Sequence, residues 1–359
     1  MKTKALILIL IYITRYSIAQ DSAKVNPLTI SGYIETYYSY DFGNPANHER
    51  PSFFYSYNRH NEANLNLGFI KANYNTDNVR GNIAFMAGTY SQYNLTNEQG
   101  LLKNIFEANV GFKVLKNKNV WLDAGVFPSH LGFESAIGKD CWNLTRSILA
   151  ENSPYYEAGA KLSFASKNEK LYLAAMYLNG WQRIKKIPGN QSPAFGTQLT
   201  YKPNSKVAIN WSSYIGSEFR DNIGQLRIFN NLYSQVQITE KFGVIVGFDV
   251  GSQQVKHDTS VYNTWYSPVI IIQYKPTKKI RIAARGEYYS DEKGVIITTG
   301  TVNGFQTYGY SLNFDYVVSD HVLWRIEGRC LNSIDKIFKM DNRSSNENYF
   351  ITSSLCLHF

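Results

Sequence analysis

Phe106-Glu-Ala-Asn-Val-Gly-Phe-Lys-Val-Leu-Lys-Asn-Lys-Asn-Val-Trp-Leu-Asp-Ala-Gly-Val126 reads as two extended runs joined by a polar turn. Apolar side chains fall on every second position, Phe106, Ala108, Val110, Phe112 and Val114, then Val120, Leu122, Ala124 and Val126. Glu107, Asn109 and Asp123 stand between them. A repeat of two belongs to a strand with one apolar and one polar face. Lys116-Asn-Lys-Asn119 supplies the turn chemistry. The pattern recurs in Phe195-Thr197-Leu199-Tyr201, Val207-Ile209-Trp211, Phe242-Val244-Val246-Phe248-Val250 and Tyr308-Tyr310-Leu312-Phe314-Tyr316. Read this way throughout, the chain divides into sixteen alternating segments.

A soluble sandwich with one wet face shows the same alternation. The connections separate the two folds. Seven are short and rich in turn formers, at 76–78, 116–119, 167–170, 203–205, 239–241, 276–279 and 319–321. Between them lie eight longer ones, near 41–59, 94–102, 128–154, 182–192, 217–225, 252–263, 291–304 and 335–346. Short and long alternate without exception. A sandwich has no reason to sort loops by end, whereas an outer-membrane barrel keeps short periplasmic turns and long extracellular loops. The fold class is therefore all-β: a transmembrane antiparallel β-barrel of about sixteen strands, beginning at Leu28–Tyr40.

Composition agrees. Aromatic residues make up 15% of the chain, Tyr alone numbering 27, yet no apolar segment after the first twenty residues reaches the roughly 20 residues that span a bilayer as a helix. A barrel hides its apolar surface as alternate residues and gathers aromatics at the two interfaces. Cys141, Cys330 and Cys356 are odd in number and scattered, unlike a disulfide scaffold. No basic block with interleaved aromatics points to nucleic acid.

Both ends suggest export to an outer membrane. Lys2 and Lys4 precede an apolar run, Ala5–Ile13, and then Ser17-Ile18-Ala19, the layout of a cleaved leader. The expected division is a signal peptide, 1–19, and one barrel domain, 20–359. Loss of Lys2, Lys4 and Arg15 lowers the net charge from +9 to +6. At the other end, Tyr349-Phe-Ile-Thr-Ser-Ser-Leu-Cys-Leu-His-Phe359 alternates and closes on an aromatic. Such a strand resembles the signal read by barrel-assembly machinery, the first expected partner. Outer-membrane lipid and lipopolysaccharide are the others that a Gram-negative setting implies.

Two strands carry charge clusters. Arg281, Arg285 and Glu287 share one face with Ala283 and Tyr289, and Arg325, Glu327 and Arg329 share another. An arginine facing lipid at mid-membrane costs about 2–4 kcal/mol, so these faces belong to the lumen, together with Asp249 and Asp315. Two readings stay open: the charges satisfy one another in a wet interior, or they form a basic wall that favours anions. The connection 128–154 mixes apolar and charged residues and wants burial. Folded inward it narrows the bore, with Glu134, Lys139, Asp140, Arg146 and Glu151 as candidate lining residues. A helical turn is expected over 145–151, capped by Thr145 or Asn143.

Gly125-Val-Phe-Pro-Ser129 with Gly132, then Trp142-Asn-Leu-Thr-Arg-Ser147 and Asn152-Ser-Pro-Tyr-Tyr-Glu-Ala-Gly159, resembles the OmpL-like outer-membrane beta-barrel porin family. The resemblance extends to Ser31-Gly-Tyr-Ile-Glu-Thr-Tyr-Tyr38 and Gly88-Thr-Tyr90. It implies a passive channel for small polar or charged solutes, without catalytic residues. A substrate-specific channel, a surface adhesin or structural barrel, and last a barrel-wall hydrolase are the alternatives. His130, Ser135 and Asn143 share a loop, but their spacing does not define a triad. The six His show no metal-ligand spacing, and no cofactor is expected. A homotrimer is expected by analogy with other sixteen-stranded pores.

Overall fold

The computed structural model describes residues 26–340 and 343–359; the expected leader lies outside them. In chain order the barrel strands are β1 Leu28–Asp41, β2 Ala63–Asn75, β3 Val79–Ala87 and β4 Ile105–Lys113. There follow β5 Asn119–Pro128, β6 Tyr156–Ala165, β7 Leu171–Leu178 and β8 Ala194–Asn204. Next come β9 Val207–Ser217, β10 Leu226–Gln237, β11 Phe242–Gln254 and β12 Tyr262–Tyr274. The circuit ends with β13 Ile280–Asp291, β14 Phe305–Ser319, β15 Val322–Ser333 and β16 Glu347–His358. All sixteen pair antiparallel with their neighbours, and β1 with β16 closes the barrel. Closure matters because an open sheet edge in lipid leaves backbone groups without partners.

The seven short connections gather at one end and the eight long ones at the other, as expected. The long ones hold two helical turns, α1 Thr89–Asn94 and α2 Ile148–Glu151, and a ribbon pairing Phe338–Met340 with Arg343–Ser345. Side chains alternate in burial as the sequence does. On β16, Asn348, Phe350, Thr352, Ser354 and Cys356 are buried while Tyr349, Ile351, Leu355 and Leu357 are exposed. The exposed set is the lipid face. Aromatics rim it at both ends, with Tyr177, Phe195, Tyr266 and Tyr308 toward the long loops and Tyr74, Tyr201, Tyr274 and Tyr316 toward the short turns.

The closing seam is built around one glycine. Phe359 and Gly32 exchange backbone hydrogen bonds of 3.0 and 3.1 Å. The Phe359 ring lies where a side chain on Gly32 would stand: a Cβ there would collide with Cζ of the ring.

One face assignment differs from the alternation. The pairing of β3 with β4 slips between Ala84 and Phe85. The slip is a bulge, which leaves one residue unpaired and re-aims its neighbour. Phe106, expected outside with Ala108 and Val110, instead stacks on Phe69, ring centroids 4.7 Å apart, and packs with the interior cluster around Tyr33 and Tyr90.

Candidate functional site

A loop held inside a barrel must find partners for its backbone N–H and C=O groups, since each one buried without a partner costs about 1–3 kcal/mol. The connection between β5 and β6 solves this with the charges of the opposite wall. Its base is closed by the Ser129 N–H donating to the Tyr155 carbonyl at 3.0 Å. It first touches β9, where Ser212 Oγ donates to the His130 carbonyl at 2.7 Å. It then meets β10, where the Gly132 N–H donates to Asn231 Oδ1 at 3.1 Å. Asn231 is held in turn by Asp249, Oδ1 of which accepts its Nδ2–H at 2.5 Å.

The loop next crosses to β13–β15. Arg325 donates to the carbonyls of Gly138, Cys141 and Trp142 at 2.6, 3.0 and 3.1 Å, while its Nε binds Asp315 at 2.7 Å. Arg285 donates to the Thr145 carbonyl at 2.7 Å and Arg329 to the Arg146 carbonyl at 2.7 Å. The Glu327 and Glu287 carboxylates accept the N–H groups of Thr145 and Ile148, each at 2.6 Å. Arg285 also bridges Glu287 at 3.2 Å and Glu327 at 3.0 Å, and Arg329 pairs with Glu287. The side chains of Arg285, Glu287, Arg325, Glu327 and Arg329 are fully covered, at 0% exposure. They occupy the inner face, as parity requires, but beneath the loop rather than along an open bore. Arg281 alone of the set stays half-buried, beside Lys139, Asp140 and His358 in a cavity of about 260 Å³ at the short-turn end.

Within the loop, Arg146 folds the chain on itself, donating to the carbonyls of Ser135, Ala136 and Leu144 at 2.6, 3.1 and 2.5 Å. Glu134 accepts both the N–H and the hydroxyl of Ser147. Ser147, not Thr145 or Asn143, caps the helical turn, its Oγ accepting the Ala150 N–H at 3.2 Å. The cap falls there because the turn begins only at Ile148, and the Thr145 hydroxyl is engaged by Arg285, which donates to it at 3.1 Å. Glu151 clips the inward loop to the first long loop, accepting the N–H groups of Tyr55 and Ser56 at 2.8 and 3.2 Å. Burial pushes its carboxyl up to about 7 against the pull of those amides. Glu134, Arg146 and Glu151 are thus buried, and Lys139 and Asp140, paired at 2.7 Å, keep water contact.

The opposite wall is different in character. On β2–β6, Lys71 pairs with Glu107 at 2.9 Å, and Arg80 binds Asp123 through two nitrogens at 2.6 and 2.5 Å. Asn73, Asn82 and Asn109 form a hydrogen-bonded row, at 2.5 and 3.0 Å. Lys71 and Arg80 retain 24% and 32% side-chain exposure. Space remains on this side of the loop. A cavity of about 210 Å³ lies between the loop and β3–β4, and one of about 440 Å³ opens at the short-turn end against β1 and β2; Ile137 borders both. Toward the long-loop end the interior is packed by an apolar cluster including Phe53, Ile148, Phe229, Trp265 and Phe305. Among the described residues no three potential metal ligands gather.

A closed sixteen-stranded barrel with short turns, long loops and one loop held inside defines a porin-type channel. Residues 27–359 match the family described as "Putative beta-barrel porin-2, OmpL-like", and the chain belongs to that family. Solved barrels share the fold at low identity. The anion-selective porin from Comamonas acidovorans is 8% identical with a TM-score of 0.60, over 92% of this chain and 99% of that one. OmpT of Vibrio cholerae in its trimer form is 9% identical at 0.58, over 92% and 99%. The outer membrane channel DcaP of Acinetobacter baumannii is 9% identical at 0.55, over 95% and 100%. No curated protein matches the sequence.

Proposed function

We propose that this barrel is a passive outer-membrane pore in which small polar solutes pass along the β2–β6 wall. The observation that carries this reading is the contrast between the walls. The charges of β13–β15 are engaged by the loop backbone, while Lys71 and Arg80 keep water contact and Lys71 and Glu107 line the open cavities. Arg285, Glu287, Arg325, Glu327, Arg329, Asp315 and Asp249 act by holding the loop. Arg281, Lys139 and Asp140 meet solutes at the periplasmic mouth. The cations of the open wall are more exposed than their partners, Lys71 at 24% against 8% for Glu107 and Arg80 at 32% against 6% for Asp123. A weak preference for anions follows. The long loops face outward and the mature chain begins after Ala19. Lipopolysaccharide surrounds the long-loop rim, the β16 strand with Phe359 engages the assembly machinery, and the barrel assembles as a homotrimer.

Single-channel recording of the refolded chain under a tenfold salt gradient tests the reading. Stable current steps, with a reversal potential on the anion side, support it. A folded barrel without current points instead to a sealed adhesin or structural barrel.

A further inference from the structure

A further cavity, of about 340 Å³, opens at the long-loop end between loops 42–62 and 292–304 and the stretch Ile337–Lys339. Arg50 lines it and is 4% exposed. Its guanidinium carbon lies over the ring of Phe350, at 3.6 Å, with the ring of Phe54 at 4.5 Å and inclined 72° to the first. One nitrogen, Nη1, donates to the Tyr57 carbonyl at 3.0 Å. The other edge, Nε and Nη2, makes no hydrogen bond among the described residues. Asp41 Oδ2 stands 4.0 Å from Nε, beyond hydrogen-bond reach. The remaining Asp41 oxygen accepts from the Gly43 N–H at 2.8 Å and from Asn348 Nδ2 at 2.7 Å. Asn348, 2% exposed, also lines the cavity, and its Oδ1 has no partner among the described residues.

These groups want a ligand that donates and accepts at once. A hydroxyl does both, so one between Arg50 and Asp41 accepts a hydrogen bond from the guanidinium edge and donates one to the carboxylate. A neighbouring hydroxyl can donate to Asn348. A carboxylate would satisfy Arg50 but be repelled by Asp41, and an ammonium would meet the reverse conflict. The charges lining the cavity, Asp41, Glu49, Arg50 and Lys339, cancel. Phe53, Phe305 and Phe338 supply apolar ring surface, Phe53 and Phe305 with centroids 4.9 Å apart. The volume lies within the usual range of small-ligand sites.

We propose that this cavity binds a neutral polyhydroxyl solute of monosaccharide size, held by Arg50, Asp41 and Asn348 and stacked on phenylalanine. Its role as an entry site rests on the channel reading; binding itself does not. The test is titration calorimetry of the refolded chain in lauryl dimethylamine oxide, a detergent without sugar, against glucose, gluconate and glucosamine. Saturable glucose binding is expected, at least tenfold tighter than for the two charged analogues. Ser52 is exposed at the rim, so Ser52→Trp fills the cavity without disturbing a buried contact and should weaken glucose binding at least tenfold. Arg50→Lys keeps the charge but loses the fork, and should weaken it similarly. No saturable binding of glucose, tighter binding of gluconate or glucosamine, or unchanged affinity in Ser52→Trp overturns the proposal. A non-conducting barrel that binds glucose contradicts the channel and leaves the site; a conducting barrel indifferent to glucose does the opposite.

Discussion

Single residues set the joints of this molecule. Glu151 ties the inward loop to the first long loop, and burial raises its carboxyl from 4.5 to about 7. A raised acid binds its proton more tightly in the folded state, so its contribution is full below about 4.5 and is lost as pH rises through 7. The difference amounts to about 3 kcal/mol at most. Urea unfolding of the wild type should therefore show this extra stability growing from pH 7 to 4.5 relative to Glu151→Gln. Equal pH slopes for the two proteins would remove Glu151 from the account. Gly32 is the second joint. In Gly32→Val the new side chain collides with the Phe359 ring, an overpacking cost of about 1–3 kcal/mol. The folded, heat-modifiable fraction should fall on refolding, and Phe359→Ala in the same chain should partly restore it.

At the scale of elements, the inward loop and the β13–β15 wall form one unit. Arg325→Met keeps the length of the side chain but strips three loop carbonyls of their donor and leaves Asp315 buried and unpaired. Breaking a buried pair from one side costs about 3–5 kcal/mol. A lower urea midpoint and larger, noisier conductance steps are expected; unaltered steps would mean that the loop does not restrict the bore. The strands and their turns were legible because alternation and turn chemistry are local. The inward course of 128–154 was legible from its composition. Its contacts were not, because Thr145 meets Glu327 and Gly138 meets Arg325 only through the closed sheet. For the same reason Lys71 and Arg80 drew no attention: each is the lone charge on its own strand, and only the pairing of β2–β5 brings them beside Glu107 and Asp123. The bulge that turns Phe106 inward has no mark in the alternation itself.

For the whole molecule, the proposed passage runs off the barrel axis, against β2–β6, with the opposite wall closed over the loop. Thiol block of single-channel current tests this directly, in chains with Cys141, Cys330 and Cys356 replaced by Ser. Asn82 lies half-buried on the open wall, whereas Ser311 lies under the loop and accepts a hydrogen bond from Asn143 at 3.2 Å. A charged methanethiosulfonate reagent should reduce the conductance of Asn82→Cys and leave that of Ser311→Cys unchanged. Block at Ser311→Cys with no effect at Asn82→Cys would contradict the account and put the passage on the other side of the loop.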